Sequence, residues 1–332
     1  MSQGCYLRDS IYRGFTALEM GNDQIQLVVV PGLGGKIAQI LHLPSGVQWL
    51  WENPNLSYRT PVYGASYDKE FDLGGLDECF PTVGQDYFPV APWKGIAIPD
   101  HGELWSQPWE VTARQASTDE VSLRMACHGV RFPYRFERTL TLRGDAATIH
   151  LSYGLTNLSP FDFPFLWSIH PLLKSEAGMQ LILPAGVERI RVDFSSDDWL
   201  GQMGTLHTWP RTQGDREEVV DLSWLPLVEA KRAVKFFTLP LTGDEQVETG
   251  LVDARGERSF RFRFSPSEVT HVGIWMNCGG WTPLGGDPYY NLGLEPCLGG
   301  ADLLSIAANQ WRDAAILAGR ATRRWSLDLI LT

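Results

Sequence analysis

Hydrophobic and polar positions alternate with a period of two along much of this chain. Val121, Leu123, Met125 and Cys127 fall on one side of a stretch whose other side carries Ser122, Arg124, Ala126 and His128. Ile149, Leu151, Tyr153 and Leu155 alternate in the same way with Thr148, His150, Ser152 and Thr156. Phe260, Phe262 and Phe264 oppose Arg261 and Arg263, and Leu327, Leu329 and Leu331 repeat the rhythm near the end. Successive side chains of a strand point to opposite faces, so this pattern predicts sheets with one buried face. Turn signals recur at short intervals, among them Pro31-Gly32, Pro44-Ser45-Gly46, Arg143-Gly144-Asp145 and Thr242-Gly243-Asp244. Many short strands with frequent breakers predict an all-β architecture of antiparallel strands, a sandwich or barrel. One stretch, 301–319, spaces Leu304, Ala307, Trp311 and Ala315 as a helix would. No fixed-period repeat, low-complexity tract or linker divides the chain, so one large β domain over residues 1–332 is expected.

Composition narrows the function classes. Hydrophobic residues make up 44% of the 332, enough for a sizeable core. The 28 Lys and Arg against 39 Asp and Glu give a formal charge of −11, without a basic block. Nucleic acid and anionic membranes are therefore not the expected partners. The five cysteines (Cys5, Cys79, Cys127, Cys278 and Cys297) are odd in number and scattered, which fits neither a disulfide framework nor a zinc ribbon. The N-terminus is polar and no apolar run approaches the roughly 18 residues of a membrane helix. A soluble cytoplasmic protein is expected. Nothing in the pattern sets an oligomeric state.

Familiar nucleotide and metal signatures are missing. Gly32-Leu33-Gly34-Gly35-Lys36-Ile37 lacks the third glycine of a dinucleotide loop and the Ser or Thr of a phosphate loop. No HExxH, G-x-S-x-G or EF-hand loop occurs.

Three segments place a titratable side chain beside a backbone constraint. In Pro99-Asp100-His101-Gly102-Glu103-Leu104-Trp105, proline and glycine frame His101 in a loop where an imidazole can face a cavity. In the run 161–173, Phe161, Phe163, Phe165, Trp167 and Ile169 share one face, so His170 emerges on the other, at a strand end before Pro171. In 289–300, Glu295 shares a face with Gly293, which clears space beside it, and is followed by Pro296. Each of these, taken alone, also fits a structural histidine or an exposed strand glutamate. Two weaker features are the adjacent carboxylates Asp77 and Glu78, which a strand would point to opposite faces, and the set Trp275, Asn277 and Trp281. Indole faces beside an amide suit a sugar, although aromatics this frequent also build cores.

The ordered set of motifs resembles the aldose 1-epimerase, or galactose mutarotase, superfamily over nearly the whole chain. The opening run 30–37 with 45–51, PDHGELW at 99–105, TNLSPFDFPFLWSIHP at 156–171 and LGLEP at 292–296 carry the resemblance. It implies a β-supersandwich, with Glu295 as base, His170 as acid and His101 as a sugar-binding group. Lys36, Asp77, Glu78, Trp105, Asn277 and Trp281 complete the expected sugar-contacting set. Leu73 stands where sugar-phosphate relatives carry an arginine, and Asp77 with Glu78 makes this region acidic, so an unphosphorylated sugar is expected. The additional sugar-binding carboxylate of the family falls on no single residue; Asp193, Asp197, Asp198 and Asp253 are all possible.

Exchanging anomers means opening a cyclic hemiacetal. A base removes the anomeric hydroxyl proton while an acid protonates the ring oxygen, and no metal or cofactor is called for. Two other classes stay open. A glycoside hydrolase or lyase on a similar sandwich would pair Glu295 with Asp77 or Glu78 across roughly 5–9.5 Å. A non-catalytic carbohydrate-binding protein would keep the pocket without turnover.

Overall fold

The computed structural model describes residues 4–215, 218–283, 285 and 287–332. Met1–Gln3, the start of the polar N-terminus, lie outside them. Among the described residues, twelve strands form one large sheet and eight form a second, all paired antiparallel. The protein is an all-β sandwich.

The second sheet follows the alternation closely. Val121, Leu123 and Met125 are buried on one strand, Ile149, Leu151 and Leu155 on the next, and Phe260, Phe262, Leu327 and Leu329 beyond them. Their outward neighbours, such as Arg261, Arg263 and His150, are only partly covered. A single hydrophobic cluster fills the space between the two sheets. At its centre Trp325 stacks on Tyr153 with ring centroids 5.4 Å apart, and Trp167 of the large sheet meets Trp325 at 4.9 Å. Burying such rings removes roughly 150–250 Å² of surface each, so this contact is a principal bond between the layers.

Six neighbouring strands of the large sheet position the candidate residues. In spatial order they are Lys36–His42, Leu76–Cys79, Trp167–Lys174, Tyr290–Leu298, His271–Cys278 and Arg232–Thr238. Trp167 and Ile169 point into the core, which turns Ser168 and His170 to the opposite, outer face.

Two expectations are corrected. The aromatic run does not form one strand: Phe161 is 52% exposed, Phe163–Phe165 pairs with Ala315–Leu317, and the large-sheet strand begins only at Trp167. His170 therefore lies within a strand that continues through Pro171 to Lys174 rather than at its end. The helix expected over 301–319 is a short one, Leu304–Ile306 followed by a wider turn at Ala307–Trp311. Arg312 then takes a left-handed conformation (φ 58°), and Ala315–Leu317 is drawn into strand pairing. Tertiary pairing overrides the local helical spacing there.

Candidate active site

The outer face of the large sheet floors a cavity of about 260 Å³. His170 and Glu295 meet beneath it because the strand register sets them opposite each other. Ser168 pairs with Cys297 and Leu172 with Gly293, but the residues between them are not paired with one another. Pro171 and Pro296 each lack the N–H that would close this stretch. The register sets His170 directly opposite Glu295, and His170 Nε2 lies 3.5 Å from Glu295 Oε1.

Glu295 is fully buried, and its two oxygens are treated differently. Lys235 Nζ donates to Oε2 at 2.5 Å and the Ser168 hydroxyl donates to the same oxygen at 3.3 Å. Oε1 has no hydrogen-bond partner among the described residues. It leans over Gly293, where an added Cβ would sit 2.7 Å from it. The space cleared by this glycine is thus occupied by the carboxylate.

His101 arrives from a loop. Its φ of 57° lies in the left-handed region, and Gly102 follows at 73°, where a Cβ would strike the Phe80 carbonyl oxygen at 2.0 Å. Only glycine fits at 102. The His101 ring stacks on Tyr67 at 4.0 Å and stands edge-on to His170 at 5.3 Å, while its Nδ1 donates to Asp100 Oδ1 at 2.8 Å.

The two imidazoles are pushed in opposite directions. Burial alone would lower the His101 pKa, but the charge and hydrogen bond of Asp100, helped by Asp68 and Asp302, outweigh it and raise the pKa to about 9. Burial, reinforced by the positive charges of His101 and Lys235, drives the His170 pKa well below its ordinary value. His101 is thus a cation and His170 neutral at pH 7. Burial also raises Asp72 to about 7 against the pull of Lys36, and raises Asp302 against that of Lys235.

Of the residues expected from sequence, His101, His170 and Trp281 line this cavity, whereas Glu295 is not part of the lining and lies fully buried against two residues that are, His170 and Lys235. The other five are held elsewhere by protein partners. Asp77 and Glu78 do point to opposite faces. Asp77 is buried in an ion pair with Lys36 and accepts from the Tyr67 hydroxyl at 2.7 Å, so both support Tyr67 from below. Lys36 also donates to the Gly74 carbonyl at 2.6 Å. Glu78 lies in the core between the sheets, bonded to Arg138 (2.9 Å), Trp167 (2.8 Å) and Tyr153 (3.0 Å), which corrects its assignment to a sugar site. Trp105 buttresses the His101 loop, donating from Nε1 to the Asp100 carbonyl at 2.9 Å and packing on Tyr67 and Phe71. Asn277 ties the turn that presents Trp281, accepting from the backbone N–H groups of Gly280 and Trp281.

Sequence reasoning missed Lys235, Tyr67, Asp68, Asp72 and Asp302, all of which line the cavity together with Trp275 of the weaker aromatic set. Lys235 carried a signal: a lone ammonium in the otherwise apolar run Ala233–Phe237 must be buried with a counter-charge. Among the acidic candidates, Asp193 lies behind the cavity, accepting from the Asp302 N–H at 3.2 Å. Asp253 is bound to Arg258 in a remote turn, and Asp197 and Asp198 sit in a short 3-10 turn outside the cavity lining. Asp68, Asp100 and His101 bring potential metal-ligating atoms within 4.8 Å of one another, but His101 already spends Nδ1 on Asp100.

Solved structures share this architecture. A galactose mutarotase-like protein from Clostridium acetobutylicum matches at a TM-score of 0.66, with 11% identity over 99% of this chain and 98% of its own. The galactose mutarotase related enzyme of Lactobacillus acidophilus matches at 0.64, with 14% identity over 95% and 97%. The Slr1438 protein of Synechocystis matches at 0.65, with 18% identity over 95% of each chain. The chain has the galactose mutarotase-like fold. No protein-family model and no curated protein sequence matches it. At these identities the likeness concerns the fold, and the activity is argued from the site.

Proposed function

We propose that the protein is an aldose 1-epimerase-like isomerase that exchanges the anomers of a free, unphosphorylated sugar. One observation carries this reading: His170 and Glu295 stand opposite each other under one cavity, each with an unpartnered buried polar atom, His170 Nδ1 and Glu295 Oε1. Buried polar groups are mostly hydrogen-bonded, and a sugar bound above this pair would supply the partners that these two lack.

In this scheme Glu295 Oε1 takes the proton of the anomeric hydroxyl, and the neutral His170 gives its one N–H proton to the ring oxygen, the cationic His101 edge-on to it offsetting the negative charge left on the imidazole. The open aldehyde turns about its C1–C2 bond and recloses on the other face, with the two groups exchanging roles. Each such group contributes about 10²–10⁴-fold. The cationic His101 donates to a sugar hydroxyl, and Trp281 and Trp275 offer flat apolar faces to the ring carbons. Asp68, Asp72, Asp100 and Asp302 line the cavity and favour a neutral sugar over its phosphate. The hydrolytic alternative loses support, since Glu78 lies behind the sheet and Asp77 is committed to Lys36. We place the enzyme in the cytoplasm, in keeping with its five buried, unpaired cysteines.

Saturation-transfer NMR across a panel of free aldoses and their 6-phosphates tests the proposal. Enzyme-dependent exchange of at least one free aldose, faster than that of its phosphate, is the expected result; tighter binding of a hexose phosphate would overturn the substrate assignment.

A further inference from the structure

We propose that Lys235 is the positioning residue of Glu295, clamping one carboxylate oxygen so that the other works as the single proton acceptor. The inference rests on the assignment of Glu295 as base and adds a residue that the sequence motifs did not supply.

Lys235 comes from the strand Arg232–Thr238, two strands away from Glu295 in the sheet. It pairs in register with Trp275, which pairs in turn with Gly293. That row runs beside the one holding Glu295, where Gly273 on the intervening strand pairs with Glu295 and an added Cβ would stand 3.5 Å from Oε2, the oxygen that Lys235 reaches. Lys235 is buried, with Nζ 2.5 Å from Glu295 Oε2 and 3.6 Å from Asp302 Oδ1. Asp302 thus places a second carboxyl group beside the ammonium.

The asymmetry of the carboxylate is the central point. Oε2 receives Lys235 and has beside it the Ser168 hydroxyl, whose one proton is shared between Oε2 at 3.3 Å and the Ile169 carbonyl at 3.2 Å, whereas Oε1, facing His170, receives no donor among the described residues. A carboxylate free to rotate would present either oxygen and lose the geometry that proton transfer needs. Charge-assisted bonds are the short, strong ones, and one fixed at Oε2 removes that freedom. Lys235 also compensates a carboxylate that would otherwise be buried without a partner. It lines the cavity as well, so a direct role on the sugar is the competing explanation that the experiment must separate.

The test is a double-mutant cycle on the aldose that exchanges fastest, with sugar affinity measured by NMR titration in every variant. Lys235→Met should lower kcat about tenfold or more with KM changed less than about threefold, and Lys235→Arg should recover part of the loss. The double variant Lys235→Met with Glu295→Gln removes both buried charges, which keeps a folded protein in hand if Lys235→Met alone is unstable. In the Glu295→Gln background, Lys235→Met should cost nothing further, because its effect runs through the carboxylate. An equal loss in both backgrounds, or a collapse of sugar affinity, would mean that Lys235 acts on the sugar itself and would overturn the proposal. Near-normal exchange by Glu295→Gln alone would remove the base assignment, and this inference with it.

Discussion

Glu295 and His170 face each other across an unpaired stretch of two neighbouring strands, with Oε1 and Nε2 3.5 Å apart. Pro171 and Pro296 lie in that stretch, and neither has an N–H to give to the ladder. The geometry has consequences for residues that never touch a sugar.

Gly293 is one of them. A methyl group there would meet Glu295 Oε1 at 2.7 Å and the Trp275 Cβ at 3.0 Å. Gly293→Ala is expected to push the carboxylate off its position, cutting kcat by about tenfold or more while the fold survives. Steady-state exchange rates and thermal unfolding of the variant check both halves. Unchanged kcat would show that Oε1 has room to spare.

Glu78 separates stability from activity. It is buried against Arg138 in the inter-sheet core, and burial raises its pKa to about 7 against the opposing pull of that guanidinium. Glu78→Gln leaves Arg138 without a counter-charge and should cost roughly 3–5 kcal/mol, since the amide keeps one acceptor oxygen and turns its NH2 toward either the Trp167 indole N–H or the Arg138 and Tyr153 donors. Urea denaturation measures the loss. KM of the folded variant should stay within about twofold of the parent; a large rise would return Glu78 to the sugar site.

The two site histidines should respond to pH with opposite sign. His101 has a folded pKa of about 9, above its unfolded value near 6.5. Its stabilising contribution is therefore fully present below pH ~6.5 and is lost as pH rises through about 9. The Tm deficit of His101→Asn should shrink over that window. His170 is shifted the other way, so its burial in the neutral form costs stability as pH falls below ~6.5. His170→Asn should gain in Tm relative to the parent on acidification. A Tm difference that does not vary with pH in either variant would contradict the corresponding shift. In activity, His101→Asn should raise KM at least as much as it lowers kcat.

Much of the fold was legible in the sequence because burial on one face imposes a period of two, and the strands around Val121, Ile149 and Phe260 bury the residues that the pattern picks out. The local environments of His170 and Glu295 were legible for the same reason, since alternation fixes which way each side chain leaves its strand. What lay beyond reach was pairing between distant strands. Lys235 belongs with Glu295 only through the order of strands in the sheet, and Asp302 through the course of the loop that follows Glu295's own strand; no local pattern encodes either. The adjacency of Asp77 and Glu78 told that they face apart, yet not which face carried the cavity. The stretch 301–319 read as a helix because its spacing is helical up to Trp311; the pairing of Ala315–Leu317 with Phe163–Phe165 is non-local.

The most direct test of the account is anomer exchange by saturation-transfer NMR, run side by side on the parent protein and Glu295→Gln with the best free aldose. Glu295→Gln keeps the shape and hydrogen bonding of the side chain while removing its basicity. The account predicts exchange well above the spontaneous rate for the parent, and a loss of about 10²-fold or more in the variant with sugar binding retained. Exchange at the spontaneous rate for the parent on every aldose, or near-parental exchange by Glu295→Gln, would contradict it.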